Sequence, residues 1–236
     1  MDIKILMAKF FGRFFPGLVN SNMKIALLQK AGVKVGKGTC IFDAGNVNID
    51  CSRPALLSIG EYCKITSGVI ILTHDYSRSV LRRVYGDVVG ESRKTEIGNN
   101  VFIGMNSIIL MGTKIGDNCI IGAGSVCHGT YPNNSVIAGN PARVICSLDE
   151  YYLKRKSKYI QEAIDYASLL KEYYGRNPTI EEMGAFFPLY LERSKEALAS
   201  NNIRTNLSGD EESEIIDVFL KTAPEFENYE EFLKKI

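Results

Sequence analysis

The chain has 236 residues, with 28 Lys or Arg against 27 Asp or Glu and 45% hydrophobic residues. That composition excludes a disordered or collagen-like chain, and no apolar run reaches the roughly 18 residues a membrane span needs. The charge is uneven: residues 1–146 hold 16 basic and 9 acidic side chains, residues 147–236 hold 12 and 18. A basic front and an acidic back fit an anionic ligand on the front or the docking of the two parts. No Lys/Arg-rich or aromatic-interleaved run points to nucleic acid.

From the N-terminus, residues 2–15 and 22–31 predict short helices, the first amphipathic with Phe10, Phe11, Phe14 and Phe15. An interfacial membrane helix is one reading of 2–15; a cap over the first turn of the neighbouring domain is the preferred one. Lys4, Lys9 and Arg13 break the apolar core that a secretory signal requires. Six cysteines, none in a C-x-x-C pair, offer no zinc or disulfide framework. A reducing cytoplasm is the expected location.

The middle of the chain repeats every six residues. Ile97, Ile103, Ile109, Ile115, Ile121 and Cys127 form one series, Gly98, Gly104, Gly116 and Gly122 follow four of its isoleucines, and Val101, Ser107, Thr113, Cys119 and Ser125 recur four places on. Upstream, Val35, Ile41 and Val47 share the spacing, Arg53 interrupts it, and Ile59, Ile65 and Ile71 resume it. Neither a helix of 3.6 residues per turn nor a two-residue strand alternation yields this period. A short strand plus a corner does, with the aliphatic residue inside and glycine at the bend. From Ile71 to Ile97 the phase is lost, so residues 77–96 are read as a loop extruded from the coil; loops of that length are commonly functional.

These motifs resemble the hexapeptide-repeat acyltransferases, and among them the galactoside- and maltose-type sugar O-acetyltransferases. The resemblance implies a mainly β fold, a left-handed parallel β-helix of roughly five coils. Residues 1–32 would form an N-terminal helical cap, 33–146 the β-helix, and 147–236 an acidic helical extension. In that extension Ser147 or Asp149 caps a helix running to about Tyr174 and closed by Gly175. Thr179 with Glu182 makes a capping box for the next helix, and further helices are expected over 188–200 and 210–235, the latter broken at Pro224.

His74, in I-I-L-T-H-D-Y, stands at the last ordered step before the loop and is one of only two histidines. The resemblance makes it the general base that takes the proton of a sugar hydroxyl. Its other nitrogen needs an acceptor, Asp75 or a backbone carbonyl. Asn46, in Asn46–Val47–Asn48, inherits the role of orienting acceptor or intermediate. It stands on a different face of the prism from His74, so the two would meet across a subunit boundary of a homotrimer. Asn48, Arg78 and Tyr85 are the candidate acceptor contacts. Where the family keeps an acidic residue this chain has Pro54, with Asp50 or Arg53 as substitutes.

The resemblance also implies acetyl-CoA as co-substrate, no metal, and a pantetheine arm along Gly104, Met105, Gly122 and Ala123. A backbone N–H near Gly104 would support the developing oxyanion. A-G-N-P-A-R-V-I (138–145) supplies Arg143 for the phosphates, and His128–Gly129 replaces the Thr-Lys step of relatives. A drug-modifying or amino-sugar N-acetyltransferase shares these features, and a non-catalytic β-helix scaffold is the reading from another class. A metal-dependent carbonic anhydrase on this fold needs three histidines, and the chain has two.

Overall fold

The computed structural model describes residues 19–205 and 209–236; the helix expected over 2–15 lies outside them. The chain divides into two units, Met1–Tyr151 and Tyr152–Ile236.

The first unit opens with helix α1 (Ser21–Lys30), capped by the Asn20 side chain accepting from the Met23 N–H. Fourteen short strands then wind into coils. Sheet A stacks β1 (Lys34–Val35), β4 (Leu57–Ile59), β7 (Thr95–Ile97), β10 (Lys114–Ile115) and β13 (Thr130–Tyr131). Sheet B stacks β2 (Cys40–Ile41), β5 (Lys64–Ile65), β8 (Phe102–Ile103), β11 (Ile120–Ile121) and β14 (Ser135–Gly139). Sheet C stacks β3 (Asn48–Ile49), β6 (Ile70–Ile71), β9 (Ile108–Ile109) and β12 (Val126–Cys127). All pairs inside these stacks are parallel. This is a left-handed parallel β-helix with four full coils and a fifth begun. A last strand, β15 (Ala142–Ser147), turns back antiparallel on β14 and ends the helix.

Side-chain columns explain the stack. In sheet B, Ile41, Ile65, Ile103, Ile121 and Ile137 lie in register and are buried; in sheet C, Ile49, Ile71, Ile109 and Cys127 do the same. Each aliphatic group is covered by the ones above and below, so one coil cannot bury its interior alone. Glycine at the A-to-B corner allows this closeness: a Cβ on Gly60 would stand 2.4 Å from the Gly98 carbonyl oxygen.

The six-residue period holds from Ile97 to Cys127 and shortens to four at Tyr131, the partner of Ile115, and the first coil departs from it too. Ile49, not Val47, is the partner of Ile71, although Val47 is also buried. Two corners of that coil are enlarged, one by the 3-10 turn Ala44–Asn46 and one by Asp50–Leu56, which includes the 3-10 turn Pro54–Leu56. The extruded segment is also more ordered than a loop: Arg78–Tyr85 is a helix, α2, and Thr95 already belongs to β7.

At the end of the first unit the Ser147 hydroxyl accepts from the Glu150 N–H while Glu150 accepts from Ser147. The helix α3 (Leu148–Tyr174) starts there and ends in the second unit at Gly175, with φ 67°. The Thr179–Glu182 box forms as well, but it leads into a 3-10 segment (Gly184–Leu189) in place of an α-helix, because Gly184 and Pro188 disfavour one. The remaining helices are α4 (Lys195–Ser200), α5 (Glu212–Lys221) and α6 (Tyr229–Leu233), and residues 190–194 are not helical. Ala163, Ala167, Met183, Leu189, Tyr190 and Phe232 form the core of this unit.

Candidate active site

The C-to-A corner gathers the chemistry. On successive coils it carries Asp50 after β3, Leu72–His74 after β6, Leu110–Met111 after β9 and His128 after β12. The extruded segment leaves this corner at His74 and returns beside it: His74 and Ser92 form an isolated antiparallel bridge, and the Arg93 N–H donates to the Thr73 carbonyl at 3.2 Å. A cleft of about 280 Å³ results, lined by Leu72, His74, Glu91, Arg93, Met111 and His128 among others. Larger clefts occur in the second unit, but both histidines of the chain line this smaller one.

His74 Nδ1 lies 2.7 Å from Asp50 Oδ2, with the His74 side chain 28% and the Asp50 side chain 10% exposed. A carboxylate only accepts, so Nδ1 carries a proton, and in the neutral ring that leaves the lone pair on Nε2. Asp50 is itself held by four other donors. Its Oδ1 accepts from the Ser52 N–H at 3.0 Å and the Ser52 hydroxyl at 2.7 Å; its Oδ2 accepts from the Thr73 N–H at 3.3 Å and from the Thr73 hydroxyl. Burial pushes the Asp50 carboxyl up, but the bonds from Thr73, Ser52 and His74 outweigh it and hold the group well below the usual carboxylate range. Asp50 therefore stays ionised beside the imidazole. Asp75, the nearer residue in sequence, accepts instead from the Ser77 N–H and hydroxyl.

Asp50 comes from the enlarged corner of the first coil, which a strict period hides. It is the acceptor that His74 requires. Its one signal in the sequence is the acidic substitute for the position that Pro54 occupies. Arg53 instead reaches the returning limb, its Nη1 donating to the Glu91 carbonyl at 3.2 Å.

The other candidate residues fall elsewhere. Asn46 is exposed at the B-to-C corner, its Nδ2 donating to Asp43 at 2.6 Å, and Asn48 is exposed in β3. Gly104, Met105, Gly122 and Ala123 follow β8 and β11 at that same B-to-C corner. Sheet C thus separates them from His74 and His128 within one chain. The Gly104 N–H donates to the Ile121 carbonyl at 2.9 Å, so it is engaged in the coil ladder. Arg78 and Tyr85 lie on α2 and do not line the cleft; the Arg78 guanidinium stacks on Tyr76. Arg143, exposed in β15, donates to the Ala142 carbonyl at 2.8 Å. Among the described residues no three His, Cys, Asp or Glu side chains are placed to hold a metal, and no helix is long and apolar enough to cross a membrane.

Residues 94–129 match the family model described as bacterial transferase hexapeptide (six repeats). Protein CapG of Staphylococcus aureus is 40% identical over 158 residues, 67% of this chain and 88% of that protein. The chain belongs to the hexapeptide-repeat transferases. It is an acyltransferase by family. The galactoside O-acetyltransferase of Escherichia coli is 48% identical over 62 residues, 25% of this transferase and 30% of its own length. A solved galactoside acetyltransferase in complex with coenzyme A is 27% identical, covering 62% of this transferase and 81% of that chain at a TM-score of 0.42.

Proposed function

We propose that this transferase moves an acetyl group from acetyl-CoA to a sugar hydroxyl, with His74 as general base. The observation that carries the reading is the Asp50–His74 pair at the mouth of the cleft that both histidines line. His74 Nε2 takes the proton of the acceptor hydroxyl as the oxygen attacks, and Asp50 stabilises the imidazolium that results. The proton is held on Nε2 for return to the leaving group. A non-catalytic scaffold has no use for an ionised carboxylate held by five donors against a half-buried imidazole.

The chain has surfaces suited to acetyl-CoA, which when bound supplies the activated acetyl carbon. Met105 and Ala123 are exposed in small-residue turns, and a Cβ placed on Gly124 would meet nothing within 4 Å. A pantetheine arm would lie against backbone there with Arg143 as its phosphate contact, whereas His128 lines the His74 cleft on the other edge of sheet C and is not assigned to phosphate. With these turns and Asn46 on one edge of sheet C and the histidines on the other, the reading calls for a homotrimer whose sites lie between subunits. Six free thiols suit a cytoplasmic setting.

Thiol release from acetyl-CoA, followed with a carbohydrate panel as acceptors, tests the reading. Turnover dependent on a sugar hydroxyl is expected; release that no sugar or other hydroxyl accelerates would refute it.

A further inference from the structure

Buried hydroxyls recur through the β-helix, and their bonds show what each is for. Thr39 donates to the Gly60 carbonyl at 2.8 Å, Thr95 to Leu72 at 2.7 Å, Ser107 to Gly122 at 3.0 Å and Thr113 to Leu110 at 2.6 Å. Ser125 and Ser135 likewise donate to the carbonyls of Gly122 and Asn133. Each supplies a donor to a backbone oxygen that the coil has taken out of water. Thr73 is fully buried too, but its hydroxyl donates to Asp50 Oδ2. Among the buried hydroxyls described in this unit it is the one given to a side chain.

The backbone of Thr73 is engaged on both sides. Its N–H donates to the same Oδ2 at 3.3 Å, and its carbonyl accepts from the Arg93 N–H at 3.2 Å. Oδ2 is also the oxygen that His74 Nδ1 meets at 2.7 Å. A hydroxyl bonded there stops the carboxylate from turning away and takes up part of the charge that would otherwise stabilise an imidazolium. We propose that Thr73 is a positioning residue of the transfer reaction: its hydroxyl fixes Asp50 Oδ2 against Nδ1 and moderates the carboxylate's hold on the imidazolium. The step it serves rests on the O-acetyltransferase reading; its action on the Asp50–His74 pair does not. The other charged or titratable groups around the ring are Asp75, bonded by Ser77, the Glu91–Arg93 pair of the returning limb, and His128 across the cleft. A change of the Thr73 hydroxyl leaves all of them in place.

The test compares Thr73→Val, close in shape but without the donor, with Thr73→Ser, which keeps it, in the full-length protein. In Thr73→Val the acid limb of acceptor kcat/KM should move up by roughly half to one pH unit. Its kcat at pH 7 should fall roughly 10-fold, the worth of one bond to a charged group, with KM for acetyl-CoA unchanged. Thr73→Ser should rescue both rate and limb, and Thr73→Ala repeats the comparison should Thr73→Val fail to fold. Thr113→Val removes a buried hydroxyl of the backbone-bonding kind and should lower the melting temperature without moving the limb. NMR titration of the ring C–H resonances, with His74 assigned by comparison with His128→Gln, reads the same upward shift with no acceptor present. A limb and ring titration unmoved in the hydroxyl-free variants, a Thr73→Ser variant as impaired as they are, or an equal shift in Thr113→Val would each overturn the proposal. A ring titration that shifts as expected while no hydroxyl is acetylated would leave the action of Thr73 on the pair standing and remove the acyl-transfer reading.

Discussion

Asp50 and His74 close consecutive coils of the β-helix at one corner, and the Asp50 carboxylate holds His74 Nδ1 at 2.7 Å. The residues are 24 positions apart, yet the pairing of Ile49 with Ile71 brings the two corners together. Asp50 acts as a positioning residue, through His74. Asp50→Asn should lower kcat roughly 10²- to 10⁴-fold while KM for acetyl-CoA changes little, because the amide can present its N–H to Nδ1 and favour the wrong tautomer. Steady-state kinetics with circular dichroism checks this; an equal loss from unfolding would appear in both.

The same carboxylate makes stability depend on pH. Its pKa is lower folded than unfolded, so its contribution is complete above the unfolded value near 3.9 and is lost as pH falls toward the folded value. Urea unfolding of the parent chain and of Asp50→Asn should therefore differ most at neutral pH and converge in strong acid. A gap that widens on acidification would contradict the assignment of Asp50 as ionised in the folded protein.

The isoleucine columns hold the coils together. Ile103 and Ile121 are fully buried and stack directly on one another. Ile103→Ala should cost about 2–5 kcal/mol, read as a lower urea midpoint with an unchanged slope. Phe102→Ala, whose side chain points out of the same strand, should cost much less.

The extruded segment is fastened at both ends to the residues flanking His74 but contributes nothing to the coil interior. Replacing residues 77–90 with a short glycine-serine link should leave the β-helix folded. Acceptor kcat/KM should fall while binding of acetyl-CoA persists, measured by calorimetry. Loss of the fold would show that α2 has a structural duty.

Much of the fold was legible because a repeat makes each coil predict the next. The Ile97–Cys127 series and the small residues between them are all buried as the period requires. Departures from the period were the part it could not show. Val47 satisfied the six-residue spacing by coincidence, whereas two extra residues at the Ala44–Asn46 corner moved the true partner to Ile49. Helix α2 was concealed inside the gap in the repeat, although its own 3.6-residue pattern, Val80, Leu81, Val84 and Tyr85, is readable once a helix is sought there. His74 was legible from its place before the gap. Asp50 as its acceptor was not, because the contact depends on two corners whose lengths only the folded chain reveals. In the second unit the Thr179–Glu182 box read correctly as a cap, but local capping could not foretell that Gly184 and Pro188 would tighten the next turn into a 3-10 segment.

Removal of the acceptor proton by His74 is tested by the turnover of His74→Ala with saturating acetyl-CoA and the best sugar acceptor. A fall of at least ~10² in kcat is expected, with fold and acetyl-CoA affinity retained. Activity equal to that of the parent chain would contradict it.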